Sequence, residues 1–238
     1  TAINSGVYTG TITIDVCGNT TETLSAVLNA SGGSSSYTTI SIQPVAGTWT
    51  ITGSIAGALI DLNGADGVTI DGLNNGNTLT IDNTSATATA ATIRFIADAS
   101  SNTVQNCTIK GAETGAASGT IVISTGTATG NVSDVISANT ITSAGANLPT
   151  NAIYSAGTSA AIANTASIAN NNIQDYFNAI AASNGIFVAS NSTAWTITGN
   201  KMFQTAARNS TAAVSHRAIN IVTAAGGGYT ISSNTIGY

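Results

Sequence analysis

The chain has 238 residues, enough for one large domain with a continuous core, and carries a net charge of −5 with a pI near 4.3. Only 6% of its residues are charged, against roughly a quarter in an average soluble domain, and the five cations Arg94, Lys110, Lys201, Arg208 and Arg217 are scattered. Without a basic stripe, nucleic acid is excluded as a partner; without an apolar run approaching ~18 residues, so is insertion into a membrane.

The polar surface must come from 39 Thr, 26 Ser and 25 Asn, since charges are so few. Hydrophobic residues make up 42% of the chain, so the low charge does not signal disorder, which couples low hydrophobicity to high net charge. A surface of hydroxyls and amides, poor in Lys, points to an extracellular or bacterial cell-surface location. The chain begins at Thr1 without Met or signal peptide, which suggests a processed product or a segment of something longer.

Short alternating runs follow one another from the start: 11–15, 39–42, 48–52, 59–62, 68–71, 79–82 and 92–95, then 120–123, 186–188, 195–197 and 218–221. In most, Ile, Leu, Val or an aromatic alternates with Thr, Asp, Asn or Arg, so each run is a strand with one dry and one wet face. Gly, Asn and Ser clusters separate the strands. No Asn-Gly or Asp-Gly pair forms a bare two-residue link between them, which argues against the hairpins of a sandwich or barrel. One early segment differs. Between Glu22 and Ala30, Leu24, Val27 and Leu28 take the i, i+3, i+4 spacing of an apolar helix stripe and predict a short helix. Residues 178–184 read as strand plus turn.

In the second half, five asparagines each precede a buried-type aliphatic: Asn106, Asn139, Asn171, Asn200 and Asn234, at intervals of 33, 32, 29 and 34 residues. A period in this range is the mark of a solenoid. Asparagine suits a recurring corner because it tolerates the left-handed backbone region, and stacked asparagines can form a ladder. The expected fold is all-β: a single-stranded, right-handed parallel β-helix of about eight coils over residues 1–238, with small residues filling a narrow interior. Cys17 and Cys107 then lie several coils apart, too far for a disulfide, and are expected to be free and buried. The two ends read as ordinary repeats without caps, which suggests a segment of a longer secreted protein or a fibre subunit.

The stretch Gly67-Val-Thr-Ile-Asp-Gly-Leu-Asn-Asn-Gly-Asn-Thr-Leu-Thr-Ile-Asp-Asn-Thr-Ser85, with 91–96 and 102–111, resembles β-helix modules of large surface proteins and adhesins exported by the type IX secretion system. These belong to the pectin-lyase-like β-helix class. The resemblance implies a secreted β-helix, supplies its right hand, and implies no defined catalytic residue.

Candidate sites are sparse. Asp61, Asp66, Asp71, Asp82 and Asp98 crowd one region. Asp66, Asp71, Asp82 and Arg94 are the candidates for Ca²⁺ binding or for a polysaccharide lyase or hydrolase, which needs carboxylates on neighbouring coils. Asp71 and Asp82 would share a face with Arg94 one coil away. The competing expectation is that Asp after Ile at a strand end is simply a turn residue. His216 shows no partner that would make it a base. Threonine pairs (Thr11/Thr13, Thr48/Thr50/Thr52, Thr78/Thr80, Thr140/Thr142, Thr196/Thr198) would make an ice-binding array if stacked, though their uneven spacing argues against one array. Tyr176 and Phe177 are candidates for stacking on sugar rings; Trp49 and Trp195 are expected in the core. The reading is a non-catalytic structural or adhesive module with no enzyme activity and no cofactor, metal or catalytic residue. It would contact polysaccharide, identical chains or neighbouring modules of its own protein.

Overall fold

In the computed structural model, which describes residues 2–223 and 226–237, the chain winds through three parallel sheets in turn. Thr1, Ala224, Ala225 and Tyr238 lie outside the described residues. The first sheet stacks eight strands: Thr9–Val16, Ser36–Pro44, Val68–Asp71, Thr103–Gln105, Asp134–Ser137, Ala166–Ala169, Thr196–Thr198 and Thr230–Ser232. The second runs from Thr20–Glu22 to Thr235–Ile236, with Leu73–Asn74 added antiparallel at Asn77–Asn83. Contrary to the expectation from sequence, Asn75-Gly76 is a bare two-residue hairpin link, both residues at positive φ, which the Asn-Gly pair favours. The third holds seven strands, from Ala26–Asn29 to His216–Ile221. Among the described strands every other pair joins residues one coil apart and is parallel. This is a parallel β-solenoid of about seven turns rather than eight, because the third sheet closes only seven circuits.

Each sheet contributes a column of isoleucine to the interior. In the first sheet Ile14, Ile42, Ile70, Val104, Ile136, Ile168, Ile197 and Ile231 lie in register on successive coils. In the second the column is Ile51, Ile81, Ile109, Ile141, Ile173, Met202 and Ile236. The third aligns Ile60, Ile93, Ile121, Ile153, Ile186 and Ile219. The interior is therefore filled mainly by large β-branched side chains, not by the small ones expected. Three columns converge on one axis, and a β-branched side chain stands stiffly off a pleated strand and packs on its copy one coil away. Burying each such side chain contributes about 1.5–3 kcal/mol.

The helix expected at 22–30 does not form. Thr20–Glu22 ends in the second sheet and Ala26–Asn29 begins the third, with Leu28 opposite Leu62. Leu24 is 78% exposed on the intervening turn. Three apolar residues at helical spacing are too few to outweigh pairing with the next coil, and a strand–turn–strand satisfies the same pattern. At the N-terminal end, Ile3 packs against the core. Asn4 Nδ2 donates to the Val27 carbonyl (2.8 Å) and its Oδ1 accepts from the Asn29 amide (3.0 Å), covering part of that edge. Both cysteines are free, as expected, but only Cys107 is buried; Cys17 is exposed. Burial and the nearby Asp71 charge push the Cys107 thiol up to about 12, so it stays protonated and inert. Trp195 is fully buried, its Nε1 donating to the Asn164 carbonyl, while Trp49 packs half-buried against the core.

Candidate functional site

The corners between the first and second sheets carry the repeat asparagines. Asn139, Asn171, Asn200 and Asn234 are in register. Each Oδ1 accepts from the coil before it: Asn171 Oδ1 takes the amide and the Nδ2 of Asn139 (3.0 and 3.1 Å), and Asn200 Oδ1 takes those of Asn171 (3.0 and 2.9 Å). Each Nδ2 also donates to a carbonyl of the preceding coil, Asn171 to Ile136 (2.9 Å) and Asn200 to Ile168 (2.8 Å). Asn106 stands outside this ladder. Its register position is one residue earlier, with Ala138, Asn170, Gly199 and Ser233, all at positive φ. The ladder position on that coil is Cys107, whose amide donates to Asn139 Oδ1 (2.9 Å). The left-handed corner and the ladder are thus adjacent residues with separate duties.

A second ladder, unforeseen from the sequence, joins the third sheet to the first. Asn102 donates from its amide and Nδ2 to Asp134 Oδ1 (3.0 and 3.1 Å), and Asn102 Oδ1 accepts from the Val68 amide (3.0 Å). Asp134 is fully buried and its Oδ2 has no hydrogen-bond partner among the described residues. Burial pushes its carboxyl up to about 8 in spite of the two donors from Asn102. The only sequence signal was an Asn just before, or an Asp at, the start of a strand.

The acidic candidates do not converge. Asp71 ends a strand of the first sheet, Asp82 lies in the second and Arg94 in the third. Three faces therefore separate the groups that a shared catalytic site would need, because each 30-residue circuit passes through all three sheets. Asp71 accepts from the Leu73 amide, Gln105 Nε2 (2.7 Å) and Asn106 Nδ2 (2.9 Å), the work of a turn residue. Asp61 forms a two-point ion pair with Arg94, Nε to Oδ1 2.9 Å and Nη2 to Oδ2 2.7 Å. Asp66 accepts from the Ser100 amide (2.7 Å), and burial raises its carboxyl. Asp82 is raised by burial too, with Lys110 opposing this from the next coil. Among the described residues no three His, Cys, Asp or Glu side chains are placed to hold a metal ion.

The threonine pairs fall on two faces, 11/13 and 196/198 on the first sheet and the others on the second. Yet register makes columns that the uneven sequence spacing conceals. On the outer face of the first sheet Thr13, Ser41, Thr69, Thr103, Val135, Ser167, Thr196 and Thr230 line up across all eight strands. Adjacent members stand about 4.8 Å apart. The second sheet carries a shorter column, Thr50, Thr80, Thr108 and Thr140. Loops of different length absorb the irregular spacing.

A cleft of about 440 Å³ opens near the C-terminal end, lined by Tyr176, Phe177, Gln204, Arg208, Ser210 and His216 among others. One wall is the loop 204–215, the longest of the connections that lead from the second sheet to the third. Asp175 anchors that loop, accepting from the Thr205 amide and hydroxyl (each 2.9 Å to Oδ1) and from Arg208 Nη2 (2.7 Å). Burial would raise the Asp175 carboxyl, but the hydrogen bonds from Thr205 and Arg208 hold it below the usual range. Arg208 Nε donates to Gln204 Oε1 (3.1 Å), and Gln204 Nε2 to the Tyr176 carbonyl (2.9 Å). His216, expected to lack partners, bridges two serines: Nδ1 lies 2.6 Å from the hydroxyl of buried Ser183, and Nε2 lies 2.6 Å from that of exposed Ser210. Its ring stacks on Phe177, centroids 4.7 Å apart and planes at 27°. Of the two aromatics expected to be exposed, only Phe177 reaches the surface; Tyr176 is buried.

Comparison with protein-family models, with curated proteins and with solved structures returns no match.

Proposed function

We propose that this chain is a non-catalytic structural and adhesive module of the bacterial cell surface, a right-handed stalk or filament segment that touches glycans or further coils. The observation behind it is the continuity of the stack. Parallel pairing runs from coil to coil throughout the first sheet and the asparagine ladder reinforces the coils from Asn139 to Asn234, so the fold is a stiff column about 34 Å long over eight strands. Ile231 and Ile236 of the last described coil are 50% and 55% exposed. In this reading they are covered by another coil, of the same polypeptide or of a second copy. Low charge leaves little repulsion between stacked chains. The resemblance of residues 67–85 supports secretion by the type IX route. Negative-stain electron microscopy tests the proposal: rods or end-to-end filaments are expected, and dispersed particles that neither align nor adhere to polysaccharide would refute it.

A second reading is favoured by the in-register column on the first sheet. A regularly spaced column of Thr, Ser and Val, flanked on the same face by Asp15 and Asp71 at the near end, is suited to ordering water, and hence to binding ice. Thermal hysteresis measured on the wild type should then vanish in Thr103→Arg and Thr196→Arg, which break the column. It should persist in Tyr154→Ala, on the third sheet. A wild type that shows no hysteresis removes the reading.

A further inference from the structure

We propose that the cleft between Phe177 and the 204–215 loop binds one pyranose unit of an uncharged polysaccharide, an inference that rests on the adhesive reading above. Three observations carry it. The first is the loop itself. At about 12 residues it is well above the median connection of about 4–6, and it is pinned at Thr205, Arg208 and Ser210 rather than left free. Its walls are therefore set before a ligand arrives, which lowers the entropy lost on binding.

The second is the cleft's size and lining. About 440 Å³ falls within the range of small-molecule sites, which combine apolar walls with a few polar groups. The Phe177–His216 stack supplies an aromatic surface for the C–H face of a sugar ring. Gln204, Arg208 and the exposed Ser210 hydroxyl supply the directed hydrogen bonds that ring hydroxyls require.

The third is charge. Arg208, the one full cation among the lining residues, is neutralised by Asp175 at 2.7 Å. An anionic sugar would meet a guanidinium whose charge the buried Asp175 carboxylate behind it already balances. A neutral, polyhydroxylated ring meets donors and acceptors with no net charge to compensate. The same pairing keeps the Arg208 plane fixed, which suits recognition of adjacent hydroxyls.

Affinity electrophoresis of the whole chain through gels containing neutral polysaccharides or polyuronates tests the proposal. The wild type should be retarded by at least one neutral polymer and not by polyuronates. Phe177→Ala should weaken retardation about tenfold or more, as expected when a central aromatic anchor is truncated. Ala206→Trp, at an exposed position on the cleft wall, should abolish it by filling the space, with circular dichroism confirming an intact fold. Retardation unchanged in both variants would place the glycan on another face, refuting the cleft while leaving the adhesive reading standing. Retardation by polyuronates alone would refute the neutral ligand. No retardation by any polymer would refute the cleft and the glycan part of the adhesive reading together, leaving self-association.

Discussion

Replacing Asn171 by leucine should lower the unfolding free energy by on the order of 4 kcal/mol, although the two side chains are close in size. The backbone pairs Asn172 with Thr140 and Lys201 whatever stands at position 171. What the leucine removes is the acceptor for the Asn139 amide and the donor to the Ile136 carbonyl, both deep in the corner. Each buried polar group left without a partner costs about 1–3 kcal/mol, and no water reaches a side chain that is 0% exposed. Since a domain of ordinary stability has about 5–15 kcal/mol in all, the change is a large one. Urea denaturation reads it directly, and a loss under about 1 kcal/mol would show that the ladder is incidental to stability.

Asn106→Ala is the matching control. Asn106 sits at the left-handed corner rather than in the ladder, and Ala138 already occupies the equivalent position one coil on with the same φ of 56°. Only its bond to Asp71 is lost, so the cost should stay below about 1 kcal/mol.

This pair of residues shows how far the sequence could be read. The period was visible because a large aliphatic, isoleucine on four coils and Met202 on the fifth, recurs a short distance after each corner. The identity of the ladder residue was not, because Asn106 and Asn139 both precede an isoleucine and differ only by one place. A one-residue difference in a strand register moves a side chain to the opposite face, and no local property of Asn106 reveals which position it holds. Cys107 hid the true position by filling it with a thiol. The same logic explains the acidic candidates. Spacing along the chain places Asp71, Asp82 and Arg94 within 23 residues of one another, but a circuit through three sheets sends them to three faces. His216 was illegible for a different reason. Its partners Ser183 and Ser210 meet it only because one coil stacks on the next and a long loop folds back. The alternating strands, by contrast, depend on local pattern alone, and most were legible.

Asp134 provides the second large effect, and it appears as a dependence on pH. It holds a ladder position that an asparagine would fill with a donor, and its Oδ2 is buried without a partner among the described residues. The folded carboxyl titrates at about 8 against 3.8 as the ordinary value, with burial as the main cause. Between those two pH values the native state binds a proton that the unfolded chain has lost. Its contribution is therefore complete below about pH 4 and disappears progressively as the pH rises to about 8. A span of roughly four pH units at about 1.4 kcal/mol each amounts to on the order of 5 kcal/mol. Buried Glu113, raised well above its usual range by desolvation, acts in the same direction. Asp98 opposes them at the acid end. Burial tends to raise its carboxyl, but the Thr127 hydroxyl and the amides of Thr127, Thr129 and Gly130 hold it at about 2. The stability it supplies is present above about pH 4 and lost as the pH falls towards 2. The two opposed trends place maximum stability near pH 4–5, with a decline towards pH 9. Asp134→Asn should leave denaturation at pH 4.5 nearly unchanged and recover several kcal/mol at pH 9, because the amide cannot ionise and restores the donor. If the variant and the wild type lose stability in parallel between those two pH values, the buried carboxyl is not what makes the solenoid sensitive to base.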